Sequence, residues 1–230
     1  MPDLKKLMND PDKIEAIEKA TFRMLFRAVS NFRLDAVAIF KNEGDLAGDI
    51  GEDLTREALD SLGMSKNSKR LFGKVDYKRA RYVFHPDFEL LQALFVDSKA
   101  EMDHRTATIQ LSQTSMIVKQ IRNGKQVIEK GLLPTIISDK DGDYLVTTAF
   151  VKYHYEEPNK LVSIILACLP NGILQAKYNP DSKDTIWMAG RNAPTRGERF
   201  RVRLSFEKLR EKAQWRVQVI PVDKNPTFLE

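Results

Sequence analysis

An α/β fold, with a mixed β-sheet flanked by helices, is predicted by three features of the 230-residue chain. A long helical periodicity occupies its amino-terminal part. Two apolar runs, Leu90 to Val96 and Leu161 to Leu169, have the length and character of buried strands. Around and after them, helical and alternating segments follow one another, as they do when helices and strands share one core.

Asn9-Asp10-Pro11 reads as a helix start, with Asp10 as cap and Pro11 at the first helical position. Ile14, Ile17, Thr21, Leu25, Ala28, Val29 and Phe32 then recur at helical spacing, with an extension through Ala36 to Phe40. A second helix is expected over 47–62, with Ile50, Leu54, Ala58 and Leu62 in step and Gly63 as its stop. Strands at about 73–84 and 90–99 form a hairpin around His85-Pro86-Asp87. Residues 104–122 read as a helix that ends near Asn123-Gly124. Leu145 to Tyr155 alternates as a strand does, and Glu156-Glu157-Pro158-Asn159 reads as its turn. Leu161 to Leu169 is the central buried strand. After a loop with Asn179-Pro180-Asp181 come a basic strand from about Arg199 to Phe206, a short helix from Glu207 to Ala213, and a last strand from Trp215 to Ile220. There is no internal repeat, and residues 1–230 are expected to form a single domain.

The formal net charge is +5 and the pI about 9.2, which favours an acidic partner. The excess is local. Lys66 to Arg81 and Arg191 to Arg216 are both strongly basic, and the rest of the chain is net acidic. Two basic stripes on an acidic body suggest a docking surface for a polyanion; two solvated faces are the plainer alternative. The single cysteine, Cys168, lies in an apolar run and excludes an intrachain disulfide, so a reducing compartment is expected. The first residues lack the apolar stretch of a signal peptide, and the longest apolar run is about half of a membrane span. A soluble, cytoplasmic protein without membrane association is expected.

The hairpin carries the chemistry. If it closes at Pro86-Asp87, residues whose numbers sum to about 173 face each other, and Asp76 stands opposite Asp97. Directly paired residues point to one face, and Lys99 shares it because side chains alternate with period two. Two carboxylates and a lysine then converge. Such a set can hold a hard divalent metal through oxygen ligands, with the backbone carbonyl of Ser98 as a further donor. The metal would polarise a phosphoryl oxygen and activate a water, and Lys99 would orient that water or stabilise negative charge. A literal Pro86-Asp87 competes with Asp76 as the first acid. It lies at the turn, about ten residues from Asp97, or on the order of 30 Å away at ~3.3 Å per strand residue. Asp76 is therefore chosen, and Asp87 is read as a turn residue.

Asp76 with Asp97-Ser98-Lys99 resembles the active site of the PD-(D/E)xK nuclease superfamily. More of the chain resembles the SfiI-type restriction endonucleases within it: Asp76-Tyr77-Lys78-Arg79-x-Arg81, Val96-Asp97-x-Lys99-Ala100, Tyr178-Asn179-Pro180-Asp181, Ala189-Gly190 and Pro194-x-Arg196-Gly197-Glu198. This resemblance implies a restriction-endonuclease-like core and a type II enzyme that cuts duplex DNA with Mg²⁺. It carries over Asp76, Asp97 and Lys99 as catalytic residues, with Glu52 as a candidate auxiliary acid or a mere helix-surface charge. It also implies a homodimer or homotetramer acting on an interrupted palindrome and leaving short 3′ overhangs.

Arg201 and Arg203 stand two apart on one strand and so point to one face, which Arg199 shares. Arginine is well suited to bidentate contact with guanine in the major groove. The resemblance places Arg191, Arg201 and Arg203 at guanine-reading positions and matches Arg196 to a basic position; phosphate contact is the alternative. Base reading is favoured for Arg201 and Arg203 and left open for Arg191, Arg196 and Arg199. Lys78, Arg79 and Arg81 either hold phosphates or form a solvated strand edge. The loop Arg191-Asn192-Ala193 departs from the family's lysine-bearing version, so a half-site other than GGCC is expected. Two further readings remain: a DNA-binding protein that does not cleave, and a structure-specific nuclease of the junction-resolvase type.

Overall fold

The structure is a computed structural model that describes residues 7–42, 49–60, 81–85, 88, 90–139, 142–157, 160–189 and 200–230. Helix α1 (Pro11–Asn42) begins as its sequence dictates: the Lys13 N–H donates to Asp10 Oδ1 at 3.0 Å. Its buried stripe includes Ile14, Ile17, Thr21, Leu25, Ala28 and Val29 and runs on through Ala36 and Phe40. Helix α2 (Asp49–Asp60) buries Leu54, Ala58 and Leu59.

Among the described residues the main sheet has six strands: β1 (Arg81–His85), β2 (Leu90–Glu101), β6 (Ile136–Asp139), β7 (Gly142–Glu157), β8 (Lys160–Leu169) and β11 (Val217–Pro221). Their order is β1-β2-β7-β8-β11, with β6 also paired to β7. The β2–β7 pair is parallel and the others are antiparallel, so the sheet is mixed as predicted. Between β2 and β6 lie β3 (Thr106–Gln110), β4 (Ile117–Arg122) and β5 (Lys125–Lys130). After β8 come the single-turn α3 (Gln175–Tyr178), β9 (Trp187–Met188), β10 (Arg201–Ser205) and α4 (Phe206–Lys212).

A second, three-stranded sheet, β3-β10-β9, packs on one face of the main sheet. Its inward residues Ala107, Ile109, Val202 and Leu204 share a core with Phe150, Ile165 and Ala167. The opposite face is covered by α1 and α2, whose Phe22, Leu25, Leu54 and Ala58 meet Ala149, Val151, Tyr153 and Ile164. Alternation along β7 and β8 thus supplies both cores, which is why β7 is buried from Tyr144 to His154 and β8 from Ile164 to Leu169. Among the described residues, no helix is long and apolar enough to cross a membrane.

The helix expected over 104–122 is not formed. Its place is taken by β3, a 3₁₀ turn at Leu111–Gln113, and β4. Thr106 to Gln110 buries every second residue, Ala107 and Ile109, which is the period of a strand. Asn123 and Gly124, with φ of 48° and 72°, form the turn of the β4–β5 hairpin, where the sequence reading took them for a helix stop. Both left-handed φ values suit the two-residue hairpin turn that Asn-Gly favours.

Candidate active site

β2 becomes progressively less buried toward its carboxy-terminal end. Ala93, Leu94 and Phe95 are buried, whereas Asp97 and Lys99 are half-buried. The apolar half fixes the strand in the sheet, and the polar half is carried to the rim of a cleft. That cleft is bordered by Asp97, Lys99 and Glu101 of β2, Ala107 and Thr108 of β3, and Lys152 of β7. Asp97 and Lys99, two apart on β2, thus leave the strand on one side and reach one cleft.

Ser98 points the other way. Its hydroxyl donates to Thr55 Oγ1 of α2 at 2.8 Å, and Thr55 Oγ1 lies 3.0 Å from the Tyr153 hydroxyl. This leaves only its backbone carbonyl for a role at the cleft, as the sequence reading required. α2 also presses on the backbone of β2. A Cβ on Gly51 would lie 3.2 Å from the carbonyl carbon of Lys99, so only glycine allows this approach without displacement. The helix that carries Glu52 thus packs on the Ser98 face; the Glu52 side chain lies outside the described residues.

The hairpin register is corrected by two. Arg81 pairs with Leu94 and His85 with Leu90, so paired numbers sum to 175 and not 173. The centre of the connection falls after residue 87, not at Pro86-Asp87. An even shift preserves facing, because side chains repeat every two residues. Asp76, Lys78, Arg79, Asp87, Arg191, Arg196 and Arg199 lie outside the described residues.

Around the cleft the charges are arranged by a lysine that the sequence reading missed. Lys152 pairs in register with Lys99 yet is buried. Its ammonium lies 2.6 Å from Glu101 Oε2 and 3.8 Å from Asp103 Oδ2, and it donates to the Thr106 carbonyl. These bonds tie the end of β2 to the start of β3. Burial pushes the Asp103 carboxyl up, but hydrogen bonds from the Thr106 hydroxyl (2.6 Å) and the Arg105 N–H, with the Lys152 charge, hold it below the usual carboxylate range. His154, next along the same face of β7, is held below the usual imidazole range by burial, then by His104, whose ring lies 5.0 Å away.

The basic strand is as expected. On β10, Val202 and Leu204 are buried, while Arg201 is half-buried and Arg203 exposed on the other side. Opposite them on β3 stand Gln110 and Thr108. Because β3 borders the cleft and pairs with β10, one small sheet connects the arginines to Asp97 and Lys99.

The motif Tyr178-Asn179-Pro180-Asp181 turns out to be architectural. Buried Asn179 accepts from the Lys119 N–H at 2.9 Å, donates to the Lys119 carbonyl at 3.1 Å, and accepts from Trp187 Nε1 at 3.1 Å. Cys168 is buried, and that burial pushes its thiol far up, which suits an inert core residue.

A family model described as Type II restriction enzyme SfiI matches residues 30–220. The Type II restriction enzyme SfiI of Streptomyces fimbriatus is 32% identical over 225 residues, covering 90% of this chain and 84% of that protein. The crystal structure of tetrameric restriction endonuclease SfiI bound to cognate DNA superposes with a TM-score of 0.83 at 29% identity, covering 99% of this chain and 91% of that one. The restriction endonuclease BglI bound to its DNA recognition sequence shares the fold, with a TM-score of 0.77 at 18% identity over 96% of this chain and 94% of that one.

Proposed function

The chain belongs to the SfiI family of type II restriction enzymes, and from that premise we propose that it is a Mg²⁺-dependent endonuclease that cuts duplex DNA at an interrupted palindrome. Type II restriction enzymes generally need a divalent metal. In this reading residues 1–230 act as one domain, assembled as a homodimer or homotetramer in the cytoplasm, and the products carry short 3′ overhangs. The observation that carries the reading is the shared cleft of Asp97 and Lys99, joined through β3 to the Arg201/Arg203 strand.

The donor chemistry fits a hard cation: a carboxylate stands at the cleft, with a lysine two residues on. Among the described residues no group of three or more His, Cys, Asp or Glu side chains is placed to hold a metal. Glu101 also borders the cleft but is engaged by Lys152, so Asp76 is proposed as the second carboxylate, with the Ser98 carbonyl as a third oxygen. Glu52 is proposed as an auxiliary acid from α2. When bound, Mg²⁺ supplies Lewis acidity at the phosphoryl oxygen. Asp97 would help to hold that ion. Lys99 directs its ammonium at the attacking water or at the negative charge that grows on phosphorus-bound oxygens. The water oxygen bonds to phosphorus as one ester P–O bond breaks; the water gives up a proton to solvent and the departing oxygen takes one up, leaving a phosphate monoester and a hydroxyl. Arg201 and Arg203 read base edges, Lys78 and Arg79 hold phosphates, and Arg191 and Arg196 contact bases or phosphates.

Incubation of phage DNA with the wild-type protein and Mg²⁺ tests this. Discrete bands with a common end sequence are expected, and mapping those ends gives the site and the overhang. A protein that binds one sequence but yields no product, or one that cuts only branched DNA, would overturn the reading.

A further inference from the structure

Arg203 has two neighbours across the small sheet, Thr108 on β3 and Met188 on β9. Directly opposed residues of an antiparallel pair share a face, with Cβ atoms about 4.5–5.5 Å apart. Thr108 therefore flanks Arg203, and it also borders the cleft of Asp97 and Lys99. It thus stands beside Arg203 and beside the cleft of Asp97 and Lys99 at once.

The polar residues beside it on the same face of β3 are already occupied. The Thr106 hydroxyl donates to Asp103 Oδ2 at 2.6 Å, and the Gln110 side chain caps the following 3₁₀ turn. Thr108 is half-buried, and its hydroxyl makes no hydrogen bond to another described residue. Strand shape alone explains a β-branched residue here, but valine would serve that purpose equally well.

We propose that Thr108 is a specificity-determining residue, whose hydroxyl bonds cognate DNA beside the contact of Arg203 and so ties site recognition to the cleft. The inference rests on the reading of this chain as a site-specific DNA endonuclease. A single neutral hydrogen bond sets its size, about 3- to 10-fold in affinity.

The test uses Thr108→Val and Thr108→Ser in the full chain, with Thr108→Ala as a second hydroxyl-free variant should valine disturb the fold. Binding is measured in Ca²⁺ to a duplex with the site mapped for the wild type and to a random duplex; cleavage is measured in Mg²⁺. Thr108→Val is expected to lose about 3- to 10-fold on the mapped site. It should stay within about twofold on random duplex, where phosphate contacts dominate. Thr108→Ser should behave as wild type. Equal losses on both duplexes, no loss on either, or a serine variant as weak as the valine one would each overturn the proposal. A wild-type protein that cuts nothing removes the underlying reading as well. One that cuts while Thr108→Val binds unchanged removes this inference alone.

Discussion

Replacing Glu18 by alanine should destabilise the protein more than replacing Asp97 or Lys99, which are half-buried. Glu18 and Arg216 are both fully buried, 2.6 Å apart, and join α1 to the start of β11. The other Glu18 oxygen accepts from the Asn171 N–H at 2.8 Å. Arg216 is sandwiched, its guanidinium carbon 4.4 Å from the Tyr178 ring centre and 4.3 Å from that of Trp215. Burial pushes the Glu18 carboxyl up, while Arg216 and the Asn171 N–H pull against it. Glu18→Ala leaves a buried guanidinium with Glu15, 3.6 Å away, as its remaining carboxylate, and orphans an amide. Breaking a buried pair on one side costs about 3–5 kcal/mol. At about 2–4 °C per kcal/mol for a chain of this size, the melting temperature should fall by roughly 6–20 °C. Glu18→Gln, which keeps an acceptor, should lose less. Glu18→Leu combined with Arg216→Met should lose less than Glu18→Ala alone, because no unpaired charge remains. Thermal and urea unfolding measure all three. A Glu18→Ala protein within about 1 kcal/mol of wild type would refute the reasoning.

Arg203→Ala should weaken binding to the mapped site by about 5- to 150-fold, the worth of one bidentate base contact, with a much smaller effect on random duplex. Competition binding in Ca²⁺ reads this, and equal losses on the two would make Arg203 a phosphate contact. His154 should make stability depend on pH. Its folded pKa lies below the ordinary value, so as pH falls below about 6.5 the unfolded chain takes up the proton first and stability is lost toward the folded pKa. The drop in melting temperature between about pH 7.5 and 5.5 should be smaller in His154→Gln than in wild type. An identical drop in both would contradict the assignment.

Much of this was written in the chain in plain periodicity. β7, read as a strand from its alternation, is instead buried on both faces from Tyr144 to His154, but the α1 stripe and the run of β8 bury what their spacing says they should. So does the alternation that sends Asp97 and Lys99 one way and Ser98 the other. Residues 104–122 fit a weak helical count but form strands, and Asn123-Gly124, which reads as a helix end, is the hairpin turn between β4 and β5. The hairpin register was off by two because turn length, not strand composition, sets it. Buried charges were the least legible. Glu18 sits one turn from Ile14 inside the apolar stripe, and Lys152 alternates with His154 on the buried stretch of β7. Both positions were marked in the sequence by a charge on a core face, but their partners, Arg216 and Glu101, are brought in by tertiary packing.

The central claim is that Asp97, on the cleft face of β2, holds the chemistry of DNA cleavage and not the recognition of the site. Asp97→Ala tests it most directly, with cleavage of mapped-site DNA followed in Mg²⁺ and binding to the same DNA followed in Ca²⁺. The account predicts no detectable cleavage, with site-specific binding kept near the wild-type level. An Asp97→Ala protein that cuts at the wild-type rate would contradict it.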